Sequence, residues 1–541
     1  MSHLAVCPVA LAMLTAIVAL LCEAWLERGG TERTRILVVT RAVSWLGLLG
    51  QGVVAASMLI EADGGQATVY RLGNWPSPYA IVLVLDRMSA LMIAMTVVLA
   101  IFVMLAAQYG FEGKGRYFHA LLHLQLMGLC GAFLTGDLFN LFVFFEILLI
   151  ASYGLLLFGG GRERLSAAFQ YIVLNLVGSA LFLLAVGALY GVLGTLNMAD
   201  VGRAAAAAAP GDRPILQASA LLLVMVFALK GALAPIHLWL PRTYGAAIAP
   251  VAALFAVMTK VGIYAIARIV PISFAPLLFP DGGLPVDGLL SQWLVPAALL
   301  TLILATLGAG ATSHLKQFVS FLILMSAGTA ALAISLFTPA GYAAGIYYMV
   351  HSTIVLGAFF LFAEMVARAR GPMGDRLSSG PLVASSRRLS VLFLVLAAAA
   401  VGLPPFSGFI GKFLVLGAAW ELSSVRSQVW AIVIGTSFLA LVFASRVGSV
   451  LFWNVGSKTP EPPPEGTLSL DPDRREHGLH RAQFVPLYGL LVVAIGLAVF
   501  AEPITRYARA TAEQLLDRDT YIERVMNDRV PTPKAVEVLE P

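Results

Sequence analysis

Long apolar runs recur along the whole chain and constrain its fold more than any other feature of the sequence. A run of about 20 apolar residues is long enough to cross the hydrocarbon core of a bilayer as a helix. Of the 541 residues, 59% are hydrophobic and only 12% are charged, and the mean hydropathy is +0.87. This composition excludes a soluble multidomain protein. We expect an all-α polytopic membrane protein.

Fourteen runs are long enough to be candidate membrane spans. In chain order they are Ala5–Leu26, Ile36–Ile60, Met88–Tyr109, Phe118–Leu134, Leu138–Phe158, Ala167–Val192, Leu216–Tyr244, Val251–Val270, Leu294–Leu307, Phe318–Leu336, Gly341–Ala367, Leu389–Trp420, Val429–Trp453 and Phe484–Phe500. The first run has no Lys or Arg ahead of it and is long enough to span, which predicts a retained helix rather than a signal peptide.

The basic residues of the connections predict the orientation. Beginning with the loop after the first span, alternate loops carry most of the Lys and Arg residues, as with Arg368, Arg370 and Arg376 after the eleventh span. Short cytoplasmic loops carry such an excess. With an even number of spans, both termini are then expected on the outer face of the membrane.

Several classes of function find no support in the sequence. The net charge of +5 lies mostly in loops, and the basic stripe with interleaved aromatic residues that nucleic-acid binding needs is missing. Cys7, Cys22 and Cys130 lie in apolar runs without the spacing of a disulfide framework or a zinc site. We expect no nucleic-acid partner, no metal and no cofactor.

Glu146 lies near the middle of the fifth apolar run, in DLFNLFVFFEILLIASYGLLL. A carboxylate at that depth costs at least ~2.5 kcal/mol, so it almost always faces a protein interior or water and has a partner. We interpret Glu146 as a proton-exchanging group. The alternative is a structural ion pair that fixes two helices.

Three lysines in later spans, Lys230, Lys260 and Lys412, are candidate partners. Lys230 precedes the Pro/Gly interruption GALAP, and Lys412 follows the interruption GLPPFSG. Irregular backbone at membrane depth survives only where it is buried in protein or lines a hydrated cavity, and transporters bind ions at such breaks. A buried lysine whose Glu partner moves away can release a proton near neutral pH.

Two histidines are candidate proton relays, because imidazole titrates near physiological pH. His237 lies two residues beyond Pro235, and His351 lies in YYMVHSTIV. The alternative for both is a hydrogen-bonded packing residue. For Lys316, at the predicted mouth of the tenth span, a side chain that reaches towards the surface is favoured over a role in the path.

Other polar residues are assigned structural roles. Asp137 is expected to cap the fifth span. Asp86 and Arg87 are expected to pair with each other at the start of the third span, and His119 and His123 to pack or to contact another subunit rather than bind a metal.

A weak internal symmetry predicts two five-helix repeats of opposite topology, spans 4–8 and 9–13. Each has a Pro/Gly-broken helix as its fourth member, spans 7 and 12, with a lysine before the break in one and after it in the other. The predicted divisions are 1–110 (spans 1–3 and a short outer strand), 116–270 and 291–454 (the two repeats), 455–481 (a Pro-rich cytoplasmic linker), 482–502 (span 14) and 503–541 (an outer-face amphipathic tail).

Three connecting segments have predicted structures. Ile81 to Leu85 is an apolar stretch too short to span and predicts a small outer-face strand. Ala204 to Gly211 is expected to be an outer loop. In the tail, Ile504 to Leu515 has apolar residues at helical spacing and is expected to lie against the membrane or a neighbouring subunit.

Four sequence strings carry a family resemblance: FNLFVFFEILLIASYGLLL, ALKGALAPIHLWLPRTYGAAIAPVAALFAVMTKVGIYAI, YYMVHSTIVLGAFFLF and GLPPFSGFIGKF. They resemble the D subunits of the Mrp-type, or Pha-type, multisubunit cation/proton antiporters, and are more distantly similar to the proton-pumping membrane subunits of respiratory complex I. The tail ARATAEQLLDRDTYIERV looks like the Pha-type branch, which is linked to potassium as well as sodium.

The resemblance implies a fold of fourteen helices with two inverted repeats and a hydrated central axis. Glu146, Lys230, Lys260, His351 and Lys412 fall on the family's buried Glu, Lys and His positions. It also implies partner subunits of the A/B, C, E, F and G types, membrane lipid, and the ions H⁺ and Na⁺ or K⁺.

The residues and the resemblance together predict a secondary transporter subunit of a bacterial inner membrane, with its termini on the periplasmic face, and not an enzyme. It is expected to conduct protons along these residues, coupled to Na⁺ or K⁺ export. One alternative is a proton-pumping subunit of a redox-driven, complex I-like enzyme. The other is a non-conducting scaffold whose buried charges only fix helix register.

Overall fold

The computed structural model describes residues 3–279, 288–380, 386–453 and 481–527, and this part of the chain is helical almost throughout. The helices are α1 (Cys7–Arg28), α2 (Arg33–Asp63), α3 (Arg87–Ala107), α4 (Phe118–Leu134), α5 (Leu138–Leu157), α6 (Arg162–Leu193), α7 (Met198–Ala206), α8 (Arg213–Lys230), α9 (Trp239–Ala246), α10 (Ala249–Phe255), α11 (Met258–Ile269), α12 (Ala275–Leu278), α13 (Leu289–Ala311), α14 (Leu315–Ser335), α15 (Pro339–Ala369), α16 (Ser386–Val401), α17 (Ser407–Trp420), α18 (Arg426–Gly448), α19 (Val485–Val499), α20 (Ala501–Leu516) and α21 (Arg518–Met526). The strands are β1 (Thr68–Arg71) and β2 (Val82–Leu85).

Twelve helical segments of the described residues are long and apolar enough to cross a membrane. They are α1, α2, α3, α5, α6, α8, the continuous stretch from α10 to α12, α13, α14, α15, α18 with the turn that follows it, and α19 with the turn that precedes it. The prediction of an all-α polytopic membrane protein is confirmed. The predicted count of fourteen adds the shorter apolar helices α4 and α17 and stays a prediction.

The core of the molecule is formed by α15, α14 and the stretch from α10 to α12. Every residue in the most apolar window of α15 is buried, and it packs against α3, α10, α14, α16, α17, α19 and α20. A helix that is apolar on all sides is stable at such a central position. By contrast, only about a third of the residues in the apolar windows of α1, α2, α18 and α19 are buried, as in helices at a lipid or subunit boundary.

The first break separates α8 from α9. Its segment includes Ala232 with a positive φ of 54° and Pro235, which has no amide hydrogen to donate. The backbone groups that the break frees are bonded within the protein: the Ala234 amide donates to Thr301 Oγ1 at 2.8 Å, and the Leu229 carbonyl accepts from Trp239 Nε1 at 3.3 Å. Such internal partners make irregular backbone tolerable at membrane depth.

The second break separates α16 from α17, where Gly402 adopts a φ of +92° ahead of Pro404 and Pro405. Here a freed carbonyl, that of Val401, accepts a hydrogen bond from Lys412 Nζ at 2.6 Å. The break thus supplies the backbone oxygen that holds a buried ammonium.

A third interruption was not predicted. The run Val251–Val270 lies within one candidate span, as expected, but a turn interrupts it, because α10 ends at Phe255 and α11 begins at Met258. Lys260 lies in the first turn of α11, next to this interruption.

The predicted short strand is confirmed as β2, which pairs in antiparallel register with β1, Thr68 opposite Leu85 and Arg71 opposite Val82. The sequence analysis missed β1. The segment Ala204–Gly211 was expected to be a loop throughout, but its first three residues are the end of α7, since alanine favours a helix wherever one has already begun.

The tail forms the predicted helix as α20, but its position differs from both expectations. Its buried residues Ala508, Thr511, Ala512 and Leu515 pack on this chain itself, against α15 and α3. The apolar face of α20 is therefore buried within the subunit. The predicted linker 455–481, apart from Arg481, and the tail beyond residue 527 lie outside the described residues.

The close crossing of α8 and α11 generates a stability prediction. A Cβ at Gly262 of α11 would lie within 3.0 Å of the backbone of Phe227, Lys230 and Gly231. Backbone cannot yield as a flexible side chain can, so Gly262→Ala should destabilise the protein by about 1–3 kcal/mol. Thermal unfolding of the purified protein measures the loss.

The matched control is Gly187→Ala, at an exposed position in the last two turns of α6, where an added Cβ would meet nothing within 4 Å. Alanine has the higher helix propensity, so this variant should unfold at or above the wild-type midpoint. Equal midpoints for the two variants would contradict the close approach of α8 and α11.

Candidate functional site

Glu146 lies on a partly buried face of α5, and its Oε1 accepts a hydrogen bond from Ser179 Oγ of α6. The helix begins where the sequence predicts, because the Asp137 carboxylate caps it by accepting from the Asn140 amide at 2.8 Å. The predicted capping role of Asp137 is thereby confirmed.

Lys230 is the last residue of α8, directly before the first break. Its Nζ donates to Asn175 Oδ1 of α6 at 3.1 Å and lies 6.0 Å from the centre of the Phe145 ring. Asn175 and Ser179 are one helical turn apart, so one face of α6 holds both Lys230 and Glu146 through neutral polar groups.

A small cavity, here called the first cavity, lies beside Lys230. Its lining includes Asn175 and Lys230 and, from α11, Met258 and Val261. It has about enough room for a water molecule. The first cavity therefore extends from Lys230 to the turn of α11 that carries Lys260.

Lys260 is fully buried, and its Nζ donates to Ser326 Oγ of α14 at 2.9 Å. Ser326 also lines a second cavity, together with His351 of α15 and Lys412 of α17. The second cavity thus joins the hydrogen-bond partner of Lys260 to the next two predicted residues.

The last two residues of the predicted path meet at the second break. His351 Nδ1 lies 2.8 Å from Ser407 Oγ, at the start of α17. Lys412 Nζ donates to the Val401 carbonyl at 2.6 Å and to Ser437 Oγ of α18 at 2.7 Å. Both side chains are more than nine-tenths buried.

Two other predicted residues lie apart from both cavities. His237 is buried in the first break, and its Nδ1 has no hydrogen-bond partner among the described residues. Lys316 is the second residue of α14, where its Nζ lies 4.0 Å from Glu364 Oε2 and 3.5 Å from the Ala247 carbonyl oxygen. The Lys316 amide donates to the carboxylate of Asp375 at 3.0 Å.

The surroundings of Lys316 are more polar than the sequence analysis expected. Burial raises the pKa of the Asp375 carboxyl, but the charges of Lys316 and His314 and the bond from the Lys316 amide hold that pKa below its usual value. Lys316 therefore belongs to a charged cluster with Asp375 and Glu364 and is not simply a surface lysine.

One predicted pairing is wrong. Asp86 does not pair with Arg87; its Oδ1 lies 2.7 Å from Arg268 Nη2 of α11, and Arg87 Nη2 donates to the Asp63 carbonyl at 2.8 Å. The side chains of adjacent residues at the start of a helix point in different directions and do not meet. A residue that is distant in sequence but faces Asp86 in space therefore makes the ion pair.

The sequence analysis also missed the neutral partners of the charged groups. These are Asn175, Ser179, Ser326, Ser407 and Ser437. A signal was present for the first two, since polar residues at positions i and i+4 of an otherwise apolar helix share one face. Among the described residues, no group of three or more His, Cys, Asp or Glu side chains is placed to hold a metal ion.

Comparison with known proteins gives the family. A family model described as NADH:quinone oxidoreductase/Mrp antiporter, TM, matches residues 135–440, which contain all the residues described at the two cavities. The chain belongs to this family.

The resemblance to antiporter D subunits is confirmed by individual relatives. This family member is 35% identical to a probable K(+)/H(+) antiporter D subunit of Rhizobium meliloti, over 97% of this chain and 98% of the relative. It is 33% identical to a Na(+)/H(+) antiporter D subunit of Alkalihalophilus pseudofirmus, over 90% of this chain and 94% of the relative.

Solved structures share the fold. A chain of the Mrp complex from Dietzia superposes with a TM-score of 0.82 at 28% identity, over 97% of this chain and all of that one. A chain of the membrane-bound sulfane sulfur reductase, an archaeal respiratory complex, gives 0.81 at 25% identity over the same shares. A chain of respiratory complex I from Thermus thermophilus, at 24% identity and a TM-score of 0.72, shows the fold alone.

The bond between Lys230 and Asn175 generates a prediction about stability. Asn175→Leu removes the amide oxygen that accepts from the ammonium, and a hydrogen bond to a charged group contributes about 1.5–3 kcal/mol. We expect a lower midpoint of thermal unfolding in detergent for this variant.

Adding Lys230→Met to Asn175→Leu should restore most of the loss, because replacing both partners by apolar groups of similar shape is nearly neutral. A wild-type midpoint for Asn175→Leu alone would show that the bond contributes nothing to the folded state.

Proposed function

We propose that this chain is the proton-translocating membrane subunit of a multisubunit Na⁺(K⁺)/H⁺ antiporter. Protons pass along Glu146, Lys230, Lys260, His351 and Lys412, and their movement is coupled to export of the cation. The proposal extends to this chain what the names of its relatives state for them.

The second cavity is the observation that carries the proposal. It lies between the Ser326 hydroxyl, which holds Lys260, and the side chains of His351 and Lys412. Hydroxyl, imidazole and amine groups can each give up and take up a proton, so their convergence on one cavity favours transfer among them. Buried charges that served only to fix helix register would not need to share a cavity.

The groups near Glu146 support the first part of the path. Glu146 of α5 bonds to Ser179, and Lys230 of α8 bonds to Asn175, one turn away on α6. The first cavity continues from Lys230 towards α11. A proton bound at Glu146 reduces the charge that balances the Lys230 ammonium. That change favours release of the lysine proton towards the first cavity.

The predicted repeats give the path its direction across the membrane. In this proposal residues 116–270 and 291–454 are inverted repeats, and both termini lie on the outer face. Each repeat contributes a broken helix beside a buried lysine, Lys230 at the end of α8 and Lys412 within α17. Broken helices of opposite topology are typical of paths in which each half opens to a different side.

A proton-pumping subunit of a redox-driven complex is the second candidate. Its support is the similarity to a chain of the sulfane sulfur reductase, an archaeal respiratory membrane complex. The partners decide between the two, since co-purification with iron–sulfur or flavin subunits would favour the redox-driven complex. Small antiporter subunits of the C, E, F and G types would favour the antiporter.

The direct test measures cation/proton exchange by the purified complex in proteoliposomes. Glu146→Gln keeps the shape of the side chain and removes its ability to carry a proton, so exchange should fall by about tenfold or more. The matched control is Glu513→Gln, the same change on an exposed position of α20, which should exchange at the wild-type rate.

Wild-type exchange by Glu146→Gln would refute the proton path. A scaffold role gives a different pattern: charge-removing variants such as Glu146→Gln would assemble poorly, but the complex that did form would exchange ions normally. Measuring assembly and exchange on the same preparation separates the two.

A further inference from the structure

One face of α11 connects the proposed path to a second group of buried charges. Lys260, Tyr264 and Arg268 lie at positions i, i+4 and i+8 of this helix and therefore share one face. All three are almost fully buried. Lys260 belongs to the proposed path, whereas Arg268 lies at the opposite end of the helix.

Arg268 is held in a closed arrangement at that end. Its Nη2 lies 2.7 Å from Asp86 Oδ1, and its guanidinium carbon lies 5.1 Å from the centre of the Tyr264 ring. Asp86 is itself fixed, because the same Oδ1 accepts from the Ser89 amide at 2.9 Å and caps α3. The pair is immobilised by the start of one helix and the end of another.

The C-terminal helix α21 covers this pair. Its Tyr521 is buried, and the phenol lies beside the Arg268 guanidinium. The helix is anchored by Arg518, which donates to the Gly202 carbonyl at 2.7 Å and to the Ile272 carbonyl at 3.2 Å. The carbonyl of Val525 at the other end of α21 accepts from Ser77 Oγ at 2.8 Å.

Proton transfer along this face would have to pass Arg268. A relay group must accept a proton and then donate one, but a guanidinium has five N–H donors, no acceptor, and does not lose its proton in proteins. Its positive charge also repels an approaching proton or cation. The Tyr264 hydroxyl is already engaged, since it donates to the Phe133 carbonyl of α4.

We propose that the Arg268–Asp86 pair, covered by Tyr521, blocks proton flow along α11, so that protons reaching Lys260 leave only towards His351 and Lys412. This inference rests on the proposed function, whose orientation places the blocked end at the outer face. The block prevents a direct leak from the first repeat and forces transfer into the second repeat. Because each proton then passes through both repeats, its movement can be coupled to conformational changes in both.

The test measures passive proton leak in proteoliposomes that contain the complex. A pH gradient is imposed with choline in place of Na⁺ and K⁺ and a lipophilic cation to compensate charge, and its decay is followed with an internal dye. The double variant Asp86→Asn/Arg268→Gln replaces the pair by amides that hydrogen-bond without a fixed charge. We expect its proton leak to be about tenfold faster than that of the wild type, because a small decrease in the activation free energy of proton transfer gives a rate change of this size.

The matched control is Asp200→Asn/Arg203→Gln. It makes the same chemical change in an ion pair on α7, where Arg203 Nη2 lies 2.6 Å from Asp200 Oδ1 and the Arg203 side chain is exposed. The proton leak of this variant should equal that of the wild type. Adding Lys260→Ala to the Asp86→Asn/Arg268→Gln variant should slow its leak again, because the leak then lacks its donor.

Arg268→Lys decides the question if the double variant does not assemble. It keeps a positive charge opposite Asp86, but a buried lysine can release its proton whereas arginine cannot. It should leak faster than wild type. Three results would each overturn the inference. Assembled Arg268→Lys could leak no faster than wild type, the Asp200/Arg203 control could leak as fast as the Asp86/Arg268 double variant, or Lys260→Ala could fail to slow the leak of that double variant.

The two proposals fail in distinguishable ways. If Glu146→Gln exchanges ions at the wild-type rate, the proposed function fails whatever the leak of the Arg268 variants. If Glu146→Gln abolishes exchange and the Arg268 variants stay tight, only the proton block is wrong.

Discussion

Three buried ammonium groups depend on neutral oxygens for their hydrogen bonds. Lys230 donates to Asn175, Lys260 to Ser326, and Lys412 to Ser437 and the Val401 carbonyl. A neutral acceptor satisfies an N–H group but does not balance its charge, and an unbalanced charge in a low-dielectric interior is costly. In the proposed path, each lysine can therefore change its charge when a neighbouring group does, which a tightly bound carboxylate would prevent.

The helix breaks follow from the same requirement. A regular helix uses its own carbonyls, so an ammonium in its middle finds no backbone acceptor. By ending α16 at Val401, the chain frees a carbonyl for Lys412. The carbonyl end of a helix carries partial negative charge, which favours an ammonium there. The central helices α14 and α15 carry Ser326 and His351, which line the second cavity together with Lys412.

The charged groups outside this line are paired differently. Arg268 has a direct carboxylate partner in Asp86, with both side chains almost fully buried. A close ion pair of this kind resists a change of charge, because removing either proton or partner leaves a buried charge unbalanced. The lysines thus have neutral hydrogen-bond partners, as the proposed proton transfer requires, whereas Arg268 has an ionic partner, as the proposed block requires.

The sequence by itself determined the class of fold, the charged residues at membrane depth and the breaks beside two of the lysines. The hydrophobicity of a span depends only on its own residues, so a charged residue such as Glu146 or Lys260 is visible within it. Proline and glycine change the conformation of their own backbone, so a helix break is also visible in the local sequence. Only the tertiary structure decided what these residues touch. The asparagine and serine partners of the lysines are common residues, and nothing in their local sequence states which lysine they face. The wrong pairing of Asp86 with Arg87 has the same origin, since the true partner, Arg268, is 182 residues away. Hydrogen bonds and ion pairs depend on distance and direction in space, and these are set by how the helices cross, which depends on packing over the whole chain.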